Sequence, residues 1–244
     1  MVLIHCVCGN EKIFKRQMNV LNKIYNIIVI RLAGHEISSR LDEASISYVV
    51  EEINEYITRK NIKVDILGVS LGAMIASKFA LKYHSKVGKV YMIGPIFGFS
   101  IPFFKIGYLM LLKLRRILPR CIYMYFITFA ILPGKSEKAQ RIKLYNSSKN
   151  MDKQFLYSWM EQMGAFILKG EQNLKLTINS QADIKIIYGS KDKIFLGFVK
   201  SRLNILQMKK LKIVYGHGHL CNISASNIIN KIIEDDDYEF ISDS

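Results

Sequence analysis

Four cysteines in 244 residues are too few and too scattered for a disulfide framework. Cys6 and Cys8 alternate along a strand end and form no C-x-x-C pair, and Cys121 and Cys221 lie far away. This usage points to a reducing, intracellular setting. The opening Val2-Leu3-Ile4 has neither the basic leader nor the cleavage site of a signal peptide, so a cytoplasmic protein is expected. No apolar run reaches the roughly 18 residues that cross a bilayer. The longest, residues 121–132, stops well short. Zinc-finger spacing, an aromatic RNA-binding strand and an Arg/Gly-rich tail are all missing. The formal charge of +15 therefore argues for no nucleic-acid partner, and part of it reflects a general richness in lysine. No metal and no cofactor is expected.

What is present is apolar material for a large core, half of all residues. Six short β-branched runs stand out: residues 2–5, 27–30, 64–67, 90–93, 184–188 and 212–215. Continuous apolar runs with little alternation suit parallel strands covered on both faces. Between them lie helical patterns. Residues 45–62 put Ile46, Val49, Val50, Ile53 and Ile57 on one face; residues 71–83 begin small and apolar; residues 222–233 form one last helix. Strands alternating with helices predict an α/β fold with a mostly parallel, doubly wound sheet.

The alternation breaks between residues 97 and 180. Apolar and aromatic stretches at 101–118 and 122–129 and a more polar one at 152–168 fill a span too long for an ordinary connection. The reading is a core of residues 1–96 and 181–244, with 97–180 as an inserted helical cap, or lid, over the strand ends. An acidic tail closes the chain from Glu234.

Gly68-Val69-Ser70-Leu71-Gly72 matches G-x-S-x-G, between an apolar run and a helix rich in small residues. Such a strand–turn–helix needs residues without bulk around the serine, which it raises at the carboxyl edge of the sheet. A serine hydroxyl needs a base. His219, in Gly216-His217-Gly218-His219-Leu220, follows the last strand at that same edge, and His217 is an open alternative. His35 and His84 read as surface loop residues, and His5 as a strand-end residue bonded to backbone. The imidazole needs a carboxylate to hold its tautomer. Asp192 follows the fifth strand at the correct end, whereas Asp183 precedes that strand. The order Ser70, Asp192, His219 is the one this architecture uses.

Together these residues resemble the α/β-hydrolase superfamily, in particular small lidded serine esterases, over nearly the whole chain. Ile4-His5-Cys6-Val7 is similar to the family's strand-end oxyanion motif, and residues 31–38 to its Asp-x-x-Gly-x-Gly-x-Ser loop. The resemblance implies catalytic Ser70, Asp192 and His219, favours His219 over His217, and assigns the oxyanion N–H groups to Val7 and Leu71. Three departures stand against it. Cys6 replaces a glycine, and Arg31 and Glu36 replace the usual Asp and Gly. The chain also begins at the strand normally third in the sheet, which leaves an edge uncovered and points to a homo-oligomer or an incomplete chain.

The expected activity is cleavage of a carboxylic ester or thioester through an acyl-enzyme at Ser70. Acyl transfer and C–C bond hydrolysis use the same triad, and a non-catalytic ligand-binding protein would share the fold. Aromatic lid residues, with Phe97, Phe103 and Tyr125 as substrate-binding candidates, point to a lipophilic acyl substrate. The cations Lys113, Arg115, Arg116 and Arg120, in a stretch without acids, would suit an anionic substrate, an acyl-carrier protein or an anionic membrane surface.

Overall fold

The computed structural model describes residues 1–35, 44–115, 117–132 and 134–235. Chain order runs β1 (Val2–Ile4), α1 (Lys15–Leu21), β2 (Ile28–Ile30), α2 (Ile46–Lys60), β3 (Val64–Val69), α3 (Leu71–Lys82) and β4 (Val87–Ile93). Then come α4 (Pro102–Leu114), α5 (Arg120–Ile131), α6 (Lys138–Lys149), α7 (Lys153–Leu168) and α8 (Gly170–Ile178). The remainder is β5 (Asp183–Gly189), α9 (Lys193–Lys200), α10 (Ile205–Met208), β6 (Leu211–Val214), α11 (Cys221–Ser224) and α12 (Ser226–Glu234).

The strands form one sheet in the order β2-β1-β3-β4-β5-β6, and every neighbouring pair is parallel. Parallel strands covered on both faces must be apolar throughout, and β3 to β5 are: Ile66, Leu67, Val90, Tyr91, Ile186 and Ile187 are all buried. Each such side chain contributes about 1.5–3 kcal/mol by leaving water. From β1 the chain moves to β2 on one side, then returns to β3 on the other. That reversal puts the carboxyl ends of β1 and β3 side by side, with Ile4 opposite Gly68. A crevice at such a reversal is where open α/β sheets place their ligand sites.

Helix α2 begins at Ser45, whose hydroxyl accepts the Tyr48 N–H at 3.3 Å, and ends at Asn61 in the left-handed conformation. It buries the five residues its spacing predicts. Helix α3 is buried almost all round, as small residues allow between a sheet and further helices. The helix expected over 222–233 is interrupted at Ala225, giving α11 and α12. The Asn222 carbonyl, which a continuous helix would offer four residues on, receives the Gln17 amide at 2.8 Å. Between β4 and β5 the described residues form α4 to α8 with a single 3₁₀ turn at Lys135–Glu137. Glu36, Ile37 and Ser38 of the predicted loop, Arg116, and the tail beyond residue 235 lie outside the described residues. Among the described residues no helix is long and apolar enough to cross a membrane.

Candidate active site

The turn from β3 into α3 is tight because its two glycines leave room for backbone. A Cβ on Gly68 would stand 2.3 Å from the Gly72 carbonyl oxygen, and one on Gly72 would stand 2.0 Å from that of Ile4. Ser70, between them, has φ 53° and ψ −108°, a backbone state that costs a residue with a Cβ on the order of 1–3 kcal/mol. Its N–H is held by the Ile93 carbonyl at 2.8 Å. The hydroxyl therefore sits at the carboxyl edge of the sheet, at the mouth of α3, and is buried.

Two loops from β5 and β6 bring the partners. Asp192 follows β5, its N–H bonded to the Gly189 carbonyl at 3.0 Å, and His219 follows β6. The His219 Nδ1–H donates to Asp192 Oδ2 at 2.7 Å, and Nε2 faces Ser70 Oγ at 3.1 Å. The carboxylate dictates the tautomer, so Nε2 keeps the lone pair that accepts the serine proton. All three side chains are buried. Close packing holds the ring: Phe195 lies 5.2 Å from it centroid to centroid, and a Cβ on Gly94 would meet it at 3.0 Å. Gly189 is equally constrained, since a Cβ there would strike the His217 and Gly218 carbonyls. The two open histidine assignments are thereby separated. His217 is turned away, with Nδ1 against Ser224 Oγ at 3.0 Å.

One residue that sequence reasoning missed belongs here. Glu137, from the helical insertion, is buried, and its carboxylate accepts the N–H of His219 at 3.2 Å and that of Gly134 at 3.1 Å. It presses so closely on Gly218 that a Cβ there would lie 1.7 Å from Glu137 Oε1. The available signal was compositional: Glu137 is the only acid between Asp65 and Asp152.

The loop after β1 lies beside the elbow. The Gly9 N–H closes a turn onto the Cys6 carbonyl at 2.9 Å, with buried Val7 within it, while Leu71 opens α3. These are the two backbone positions the resemblance nominates for an oxyanion. Beneath the turn, His35 Nε2 accepts the Cys8 N–H at 2.9 Å, and His5 Nε2 accepts the Leu32 N–H at 3.2 Å. The rings lie 4.8 Å apart, edge to face. The surface reading of His35 is therefore corrected: it is buried, and burial with His5 alongside lowers its pKa to about 3. Trp159 of α7 ties the insertion to this floor through the Ala33 carbonyl at 2.9 Å. Burial pushes the Cys6 thiol up to about 12 and raises that of Cys8 as well, which makes both poor nucleophiles.

Of the three lid candidates, Phe97 is fully buried against Phe166, with ring centroids 5.8 Å apart. Phe103 and Tyr125 are 77% and 57% exposed, which corrects the expectation that they wall a lipophilic pocket. At about 100° per residue they fall on the outer arcs of their helices. The inner arcs are taken by Tyr108, Leu111 and Leu112 on α4 and by Tyr123, Met124 and Ile127 on α5. Behind that inner arc, Tyr123 and Tyr157 pack edge to face at 5.5 Å. Their hydroxyls and Arg120 Nε are buried polar atoms with unspent hydrogen-bonding capacity. Among the described residues no group of side chains is arranged to hold a metal ion.

A parallel sheet carrying Ser, Asp and His in this order at one rim defines a class, the α/β proteins built on a nucleophile elbow. Comparison narrows it. The sequence model of the α/β-hydrolase fold family matches residues 1–118. Among solved structures, a hydrolase from Oleispira antarctica has a TM-score of 0.75 at 14% identity, with 96% of this chain and 88% of that one covered. An esterase from Exiguobacterium antarcticum has a TM-score of 0.71 at 16% identity, covering 96% and 90%. A meta-cleavage product hydrolase from Pseudomonas fluorescens has a TM-score of 0.65 at 17% identity, covering 95% and 88%. No curated protein matches the sequence. The chain therefore has the α/β-hydrolase fold.

Proposed function

We propose that the protein is a serine hydrolase that cleaves a carboxylic ester or thioester through an acyl-enzyme at Ser70. The observation that carries this reading is one imidazole bridging a serine hydroxyl at 3.1 Å and a carboxylate at 2.7 Å, on a strained elbow. Ser70 Oγ attacks the acyl carbon as His219 Nε2 takes its proton, and the carbonyl electron pair moves onto oxygen. The N–H groups of Val7 and Leu71 receive that oxyanion, aided by the amino end of α3. Its collapse breaks the bond to the alcohol or thiol, which leaves with the proton from His219. Water, deprotonated by the same ring, then frees the acid and restores Ser70. Asp192 stays ionised throughout and steadies the imidazolium.

In this reading the insertion covers the site as a cap, and Glu137 fixes the backbone from which His219 projects. The test is labelling of the whole chain with a fluorophosphonate, followed by turnover of p-nitrophenyl esters of graded chain length. Stoichiometric labelling of the wild type and none of Ser70→Ala is expected. Esterase turnover retained by Ser70→Ala would refute the assignment.

A further inference from the structure

The outer surface of the insertion has the wrong chemistry for water. On α4 the outward stripe is Phe103, Ile106, Met110 and Leu114, spaced by three and four, and Ile117 beyond it is 78% exposed. On α5 the stripe is Ile122, Tyr125, Phe126 and Phe129, again at helical spacing. The two helices touch each other. Scattered single apolar residues on a surface need no explanation, but two adjoining stripes of large ones mark a contact site. Helix α4 is apolar on both faces and yet buries no residue completely, which suits a helix facing protein on one side and a second apolar phase on the other.

Charge indicates what that phase is. Lys105 and Lys113 stand on α4 beside its stripe, and Lys135, Lys138 and Lys143 are exposed just beyond α5. Between Asp65 and Asp152 the only carboxylate is Glu137, and it is turned inward to the N–H of His219. Exposed lysines therefore accompany both helices, and Glu161 of α7, which reaches the end of α4, is taken up in an ion pair with Arg115. A second copy of the chain would bring cations against cations. An anionic lipid surface meets both demands, apolar stripes entering the acyl boundary and lysines reaching phosphate or carboxylate headgroups. Helices of 13 and 12 residues are too short to span and can only lie in the interface.

We propose that the outward faces of α4 and α5 dock this protein on an anionic membrane surface. The proposal is independent of the catalytic reading, and its test needs no activity. The full chain is floated with vesicles of phosphatidylcholine alone, or of phosphatidylcholine mixed with phosphatidylserine, at low and high salt. Binding to the mixed vesicles at low salt, and its release by salt, is expected. The variants Lys105→Glu/Lys113→Glu and Ile106→Ser/Phe126→Ser should each weaken binding by about tenfold or more. Unchanged thermal melting of the variants separates lost docking from lost fold. Equal binding to both vesicle types, equal binding by both variants, no binding at low salt, or a dimer abolished by Ile106→Ser/Phe126→Ser would each overturn the proposal.

Discussion

The carboxyl rim of the sheet and the outer face of the insertion solve opposite problems with the same apolar alphabet. At the rim every position is over-determined. A Cβ on Gly68, Gly72, Gly94 or Gly189 would meet backbone or ring atoms at 3.0 Å or less, and the polar side chains of Ser70, Asp192 and His219 are paired while buried. On α4 and α5 several large residues stand half or more exposed, and the contacts of Tyr125, Phe126 and Phe129 are with one another and with Arg141 at the surface rather than with the core. The lesson is that burial, not residue type, separates machinery from contact surface. Tyr123 and Tyr125 are two positions apart on one helix, the first fully buried and the second mostly exposed.

The contrast can be broken or sharpened by substitution. The largest effect is expected at the rim. Asp192→Asn keeps the shape but lets His219 adopt the wrong tautomer, and kcat on an activated ester should fall by about 10⁴-fold with KM little changed. Steady-state kinetics across chain lengths would check it, and a loss below tenfold would remove Asp192 from the catalytic set.

Glu137 ties the two regions together, so its effect should be intermediate. Glu137→Ala releases the His219 N–H and should lower kcat by about 10²-fold, since displacement of a catalytic group by about 1 Å costs that much. Glu137→Gln retains an acceptor and should recover most of the rate. A purely structural role would instead lower the melting temperature of both variants without restoring kcat in the second.

An effect on stability rather than on rate, and dependent on pH, is expected beneath the oxyanion loop. His35 is neutral in the fold, with its pKa lowered to about 3 by burial, whereas an unfolded histidine titrates near 6.5. The unfolded chain therefore takes up a proton that the folded chain refuses as pH falls below 6.5. Stability is fully present above that pH and drops by about 1.4 kcal/mol per pH unit from this group, until the pH nears 3. His35→Gln should flatten that part of the curve in urea titrations between pH 7 and 4. An unaltered slope would show that other groups set the acid sensitivity.

The smallest effect belongs to the outer face. Met110→Ser on α4 removes an exposed side chain, so it should change stability by no more than about 0.5 kcal/mol and leave turnover of a short soluble ester within about twofold. A large destabilisation would mean that α4 packs against protein on both sides, and the contrast between the regions would collapse.

Most of the rim was legible because its constraints are local. A β-branched run, a glycine, any residue, a serine, any residue and a second glycine specify a strand, a turn too tight for Cβ atoms and a buried helix. The loops after β5 and β6 fall on that edge by parallel topology alone. His219 was separable from His217 only through family resemblance. Two residues apart in a loop, either could reach the serine until packing against Gly94 and Phe195 chose one. Helices α6 and α8 left weaker marks, since their apolar faces are narrow and interrupted. The orientation of α4 and α5 left none, because a helix apolar all round has no pattern to say which side faces the core.

By itself the sequence determined the parallel sheet, the elbow and the order of three chemically matched side chains, since strand pattern, turn sterics and topology follow from neighbours along the chain. Only the tertiary structure decided that Glu137 would reach back to the histidine loop, that His35 would be buried and neutral, and that Phe103 and Tyr125 would face outward. Those outcomes depend on how segments distant in the chain pack against one another, for the loop that carries His35 and the turn that carries Glu137 as much as for the outward helices, and no local pattern encodes that packing.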